Sequence, residues 1–263
     1  MDITNKVALV TGAGSGIGRA SALRLATEGA AVVVVDMNEG GGRETVAQIE
    51  SSGARAAFVR ADVTNEADVR AMVAFAGETF GGLDILHNNA GIITREPRYP
   101  EGDAEAWSRM LDINLRGVIL GTQYGIQAMR KRGGGAIVNT ASMAGIGVGF
   151  PPNPVYAASK GGVVLFTSSM APLATEANIR VNCVCPGVVD TPMLRQASDA
   201  VSAEERSATA SRLASLPILA PEEIADAVVS LIKDDSLAGR ALMVRNGVPP
   251  ELWRVAPRQV PGT

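Results

Sequence analysis

Residues 7–29 read VALVTGAGSGIGRASALRLATEG: an apolar run, a glycine-rich turn, then a segment with helical periodicity. Glycines at 12, 14, 16 and 18 let the chain turn tightly and let its backbone come close to a pyrophosphate. The helix start then offers free N–H groups and the positive end of its dipole to that anion. The spacing is T-G-x-x-x-G-x-G, not the general G-x-G-x-x-G fingerprint, and a plain strand-to-helix connection also uses glycine. Context favours a dinucleotide. The next apolar run, Ala31–Val35, closes on Asp36, 18 residues past Gly18. A carboxylate there can accept hydrogen bonds from the adenosine ribose hydroxyls, or it can cap a turn or helix. Gly12, Ser15, Gly16, Ile17, Gly18 and Asp36 are the candidate contacts on this side. No Lys or Arg stands at 13–15 or 37–38 to offset repulsion between Asp36 and a 2′-phosphate, so NAD is favoured over NADP.

The same rhythm runs along the chain. Strand-like runs at Val7–Val10, Ala31–Val35, Ala56–Val59, Leu83–Leu86, Ala136–Asn139, Ile179–Val184 and Ala241–Val244 alternate with helical patterns. The helical patterns cover roughly 16–28, 40–52, 65–79, 104–132, 155–177 and 221–234. This order predicts an α/β fold: a doubly wound, Rossmann-like, mostly parallel seven-stranded sheet with helices on both faces. Residues 1–245 form a single dinucleotide-binding and catalytic domain on this reading. Residues 246–263, with four prolines, form an extended tail. Residues 186–220 depart from the rhythm as a polar excursion, and Pro172 is expected to kink the helix over 155–177.

Composition narrows the class. The chain has 263 residues, 46% hydrophobic and 19% charged, enough for one sizeable core. A net charge of −3 supplies no basic field, so nucleic acid is not an expected partner. No apolar run approaches the ~20 residues that span a bilayer, so no membrane association is expected. The start, MDITNKVALVTG, carries an early acid and enters a strand directly, unlike a signal peptide. Cys183 and Cys185 are expected on opposite faces of a strand, as packed thiols in a reducing cytoplasm. The single histidine, His87, reads as a core residue, and no Cys/His cluster suggests a metal.

Further signals follow in order: Asn88-Asn89-Ala90-Gly91, Asn114, Ser142, and Tyr156-Ala-Ala-Ser-Lys160. Tyr156 and Lys160, at i and i+4 of a helix, share a face. An ammonium beside the phenol is expected to lower its pKa from about 10, so that a phenolate can take an alcohol proton. Ser142 would hydrogen-bond the substrate oxygen as charge develops.

Over roughly residues 5–195 this ordered set resembles the short-chain dehydrogenase/reductase family. Asn182 to Gly187 (NCVCPG) and Thr191-Pro192 resemble two further family features. The resemblance implies an oxidoreductase that passes hydride between NAD and an alcohol or ketone. It also implies that Lys160 holds the nicotinamide ribose and that Asn114 holds a proton-relaying water. Asp62 and Val63 would flank the adenine, although Asp62 could equally cap the next helix. Asn89, Ala90, Gly91, Pro186, Gly187, Val189 and Thr191 would line the cofactor, and the chain would form a homo-oligomer, a tetramer. A dinucleotide-binding redox sensor is the alternative, but it has no need of Tyr156, Lys160 and Ser142 together. Met143, Phe150, Pro151, Val155, Val188, Met193 and Leu194 would line an apolar substrate pocket, or merely pack the loops. Two departures stand out. Ser142 and Tyr156 are 14 apart, one more than the usual family spacing, and the last strand lacks a V-D-G-G ending.

Overall fold

The structure is a computed structural model, and it describes residues 1–93, 99–147, 153–199 and 218–253, with only the backbone of 196–199. Every residue of β1 (Val7–Thr11) is buried, as is the valine run of β2 (Ala31–Asp36) up to its final carboxylate. These strands and β3 (Ala56–Arg60), β4 (Ile85–Asn88), β5 (Gly135–Thr140), β6 (Ile179–Pro186) and β7 (Ala241–Val244) pair in parallel. The sheet order is β3-β2-β1-β4-β5-β6-β7-β8. It is thus the expected doubly wound sheet, with one strand more than the seven expected.

The extra strand, β8 (Glu251–Leu252), pairs antiparallel with β7 inside the segment expected to be an extended tail. Its cause is local: Trp253 N–H donates to the Ala241 carbonyl (2.8 Å), and the indole packs on a cluster containing Cys183 and Met243. Apolar side chains here gain more from the sheet edge than from water.

Helices α1 (Gly16–Thr27), α2 (Glu39–Ser51) and α9 (Pro221–Lys233) cover one face through Leu25, Ile49, Ile224 and Val228. Helices α3 (Glu66–Phe80), α4 (Ala104–Leu111), α5 (Gly117–Arg130) and α6 (Pro154–Ser169) lie on the other side, α3 and α5 through Val69, Met72 and Leu120, α6 through Val163 and Val164. The expected helix over 104–132 is two helices, with a π turn at Asp112–Arg116 between α4 and α5. Pro172 ends a helix and does not kink one. α6 stops at Ser169, and Pro172 heads the short α7 (Leu173–Glu176), because a residue without N–H cannot continue the ladder. Within the excursion, α8 spans Pro192–Asp199 and a parallel bridge joins Val189 to Leu219; residues 200–217 lie outside the described part.

Cys183 and Cys185 correct another expectation. They share one face of β6, as residues two apart on a strand must, and both are free and buried in the cluster with Val164. A hydrogen bond with Cys185, together with burial, pushes the Cys183 thiol well above its usual value.

β1 lies between β2 and β4: the chain runs to one side of it through β2 and β3, then crosses from β3 to β4 on the other side. This reversal opens a crevice at the carboxyl ends of the strands, where ligands of such sheets bind.

Candidate active site

The glycine turn follows β1 at that crevice. Gly12 has φ +65°, and a Cβ there would lie 2.9 Å from the Ala90 Cα. A Cβ on Gly18 would fall 2.1 Å from the Gly12 carbonyl oxygen. Only bare backbone lets α1, the turn and the segment after β4 pack this closely. The side chain of Ser15, at the N-cap, makes no bond to the first turn of α1, leaving those N–H groups for an anion.

Thr11 Oγ1 accepts the N–H groups of Asn89 (3.0 Å) and Ala90 (3.1 Å), while Asn89 Nδ2 donates to the Thr11 carbonyl (3.0 Å). Asn88 Nδ2 donates to Asn139 Oδ1 (2.9 Å) and Thr122 Oγ1 (3.1 Å). The Asn-Asn-Ala-Gly segment therefore ties the central strands to the turn.

Asp36 caps a turn, as one of the two readings of it expected. It borders the crevice and also accepts the N–H groups of Gly14 and Asn38, each at 2.8 Å. Arg19, the nearest basic residue in sequence to the turn, is held by the Gly14 carbonyl (2.6 Å), Thr45 (3.1 Å) and Glu44 (2.8 Å). For Asp62 the helix-capping alternative fails. Asn65 caps α3, accepting from Ala67 N–H at 2.9 Å, while Asp62 accepts from Thr64 (2.9 and 2.8 Å) and borders the crevice.

One cavity of about 590 Å³ joins these groups. Gly12, Ser15, Gly16, Ile17, Asp36, Asp62, Val63, Asn89, Ala90, Gly91, Pro186, Gly187, Val189 and Thr191 all line it, as do Ser142, Tyr156 and Lys160. Two expected site residues do not. Gly18 serves the packing of α1 on the turn, and Asn114 stands behind the wall. A glycine cradle that any Cβ would fill, an uncapped helix start and a carboxylate ending β2 fit a dinucleotide well.

At the chemical end, Asn153 caps α6 by accepting the Tyr156 N–H (2.9 Å), which puts the tyrosine in the first turn. Ser142 caps the short 3₁₀ turn Met143–Ile146, accepting from Ala144 N–H at 3.2 Å, and its hydroxyl lies near enough to the Tyr156 phenol to draw its pKa down. Lys160 Nζ is buried, donates to the Thr140 carbonyl (2.8 Å) and lies 6.0 Å from the centre of the Tyr156 ring.

The expected lowering of the tyrosine pKa does not follow from this arrangement. Burial pushes the Tyr156 phenol above its ordinary value, and only the Ser142 hydroxyl pulls it down. Lys160 is itself brought down to about 8 by burial, partly opposed by Cys185.

Asn114 sits in the π turn, fully buried. Its amide accepts from the Ile92 N–H and donates to the Ile92 carbonyl, both at 2.8 Å, and reaches Ser159 Oγ at 3.3 Å. It clamps the cavity wall, and the irregular turn aims it there.

Of the expected substrate-pocket residues, Val188, Met193 and Leu194 line the cavity. Met143 is instead buried in the core with Cys185, and Val155 is not part of the lining. Phe150 and Pro151 lie outside the described residues. Met37, Ile92, Ile93, Arg109 and Ile113 line the cavity without having been expected. Arg109 and Ile113 are four apart on the approach to Asn114, a shared-face spacing that could have revealed them.

Residues 6–202 match the family described as short chain dehydrogenase. The chain is 40% identical over 233 residues to a cyclohexanol dehydrogenase of Acinetobacter sp. (strain SE19), covering 88% of this chain and 89% of that protein. It is 40% identical over 247 residues to a cyclopentanol dehydrogenase of Comamonas sp. (strain NCIMB 9872), covering 93% and 97%. Among solved structures it is similar to levodione reductase, with a TM-score of 0.86 and 35% identity over 92% of this chain and 96% of the other.

Proposed function

The chain belongs to the short-chain dehydrogenase family, and from that premise we propose that it interconverts an apolar cyclic secondary alcohol and its ketone, with NAD as hydride carrier. It is an oxidoreductase of the alcohol–carbonyl couple. The observation that carries the finer reading is the meeting of the Ser142 and Tyr156 hydroxyls in a cavity whose walls include Ile92, Ile93, Val188, Met193 and Leu194. Bound NAD supplies the hydride acceptor for oxidation and, reduced, the donor for the reverse reaction.

The protein's own groups handle the proton. The substrate oxygen takes its place between Ser142 Oγ and Tyr156 Oη. Tyr156, as phenolate, accepts the hydroxyl proton while the carbinol C–H bond breaks; in reduction the phenol returns it to the carbonyl oxygen. Ser142 donates a hydrogen bond to the substrate oxygen. Lys160, anchored on Thr140, places positive charge beneath the phenol ring and would hold the nicotinamide ribose. Asn114 acts from behind by holding Ile92 in position.

NAD over NADP rests on Asp36, with Arg19 already committed to Gly14, Thr45 and Glu44. We include a homotetramer and a cytoplasmic setting in the proposal. On α6, Gly161 and Gly162 pack within the subunit against Gly145 and Leu115, and Leu165 remains 67% exposed. Sedimentation that finds only a 27.2 kDa species would remove the oligomer.

The test is turnover. Purified protein with NAD and a panel including cyclohexanol, cyclopentanol, linear secondary alcohols and primary alcohols should raise nicotinamide absorbance fastest with the cyclic members. A preference for primary or strongly polar alcohols would overturn the substrate class.

A further inference from the structure

His87 lies on β4, fully buried, and takes no part in the proton transfer proposed above. Burial holds its imidazole down to about 3, so the ring is neutral at ordinary pH. A neutral ring carries one N–H, and its neighbours decide which nitrogen holds it. Nε2 is 2.8 Å from the Thr140 hydroxyl, whereas Nδ1 has no partner among the described residues. In the Nε2–H tautomer the one Thr140 hydroxyl proton is left for Asn89 Oδ1, 3.4 Å away. Thr140 Oγ1 must then accept, and Nε2 donates. The opposite tautomer would bury an N–H with no acceptor, the costlier defect.

Thr140 is a branch point. Its carbonyl holds Lys160 Nζ at 2.8 Å, and its hydroxyl reaches Asn89, whose amide donates to the carbonyls of Thr11 (3.0 Å) and Gly12 (3.3 Å). The geometry points to His87 as a positioning residue: its Nε2–H pins the Thr140 hydroxyl, and through Asn89 this keeps the glycine turn in register with the anchor of Lys160. An aliphatic residue would fill the same core space. It would leave Thr140 Oγ1 without a donor and its rotor free, and Asn89 would lose a fixed partner. The inference rests on the reading that the turn and Lys160 hold a dinucleotide.

The test combines substitution with direct observation of the ring. His87→Leu should weaken NAD binding by about five-fold, the weight of one neutral hydrogen bond, while thermal unfolding stays cooperative. His87→Gln, with a carboxamide N–H of similar reach, should recover most of that loss. Thr140→Val should resemble His87→Leu, and the double variant should be no worse than either single one, because both remove the same contact. Wild-type affinity in a folded His87→Leu protein, or additive losses in the double variant, would overturn the proposal. Should the leucine variant fail to fold, nitrogen-15 histidine NMR of the unmodified protein decides. A single imidazole should appear as the Nε2–H tautomer at neutral pH, and an Nδ1–H or protonated ring would sink the idea. If the unmodified protein binds no NAD, the dinucleotide reading fails, and the NMR result still judges the hydrogen bond separately.

Discussion

Tyr156 must lose a proton in surroundings that favour keeping it. Burial raises the phenol, and the Ser142 hydroxyl is the group that opposes burial. Oxidation should therefore rise with pH toward the alkaline side, as the phenolate fraction grows. Ser142→Ala should move that rising limb to higher pH as well as lowering the rate, and an unmoved limb would separate Ser142 from the ionisation. Tyr156→Phe should keep dinucleotide affinity within a few-fold and lose roughly 10²–10⁴ in turnover, since only the proton carrier is gone. Wild-type turnover in that variant would assign the proton to another group. At the other end of the cavity, Asp36 already accepts two backbone N–H groups. Asp36→Ser should narrow an NAD preference of about ten-fold, worth roughly 1.4 kcal/mol, and should loosen the turn at Gly14. Equal binding of NAD and NADP by the unmodified protein would show that Asp36 does not read the ribose.

The strand–turn–helix unit of β1 and α1 works because its backbones touch. A Cβ at Gly18 would stand 2.1 Å from the Gly12 carbonyl, which cannot yield without moving the turn. Gly18→Ala should cost about 1–3 kcal/mol in denaturant unfolding, the range for overpacking, and should also lower dinucleotide affinity. A loss of stability with full affinity would mean that the turn tolerates the displacement. Between α4 and α5, the π turn has a comparable role. It breaks the regular ladder so that a buried Asn114 can bond both backbone groups of Ile92. Helical periodicity over 104–132 suggested one helix because the pattern of apolar residues hardly changes across a single wide turn.

At the scale of the whole molecule, His87 links folding to pH. Its folded value of about 3 lies below the roughly 6.5 of an exposed imidazole, so the unfolded chain binds the proton first as pH falls. The contribution is complete above about pH 6.5 and is lost progressively between there and about 3, by up to ~1.4 kcal/mol per pH unit. Denaturant midpoints should fall more steeply with acid for the unmodified protein than for His87→Gln, and parallel curves would show that the ring titrates freely. The sheet, the crevice and most of the residues that line it were legible in the sequence. Strand–helix alternation and the glycine turn are local patterns, and parallel pairing leaves few ways to connect them. The eighth strand was not legible, because two residues in a proline-rich segment carry no period; Trp253 finds its place only once β7 exists. Tyr156 and Lys160 could be named from their spacing, yet their charges could not. The Lys160 ammonium settles on a carbonyl 20 residues away, and the tyrosine is shifted by burial. The sequence determined which groups meet at the crevice, since that follows from chain order and backbone sterics. Only the tertiary structure decided what each group bonds to and how far from water it sits, because hydrogen-bond partners and desolvation belong to neighbours in space.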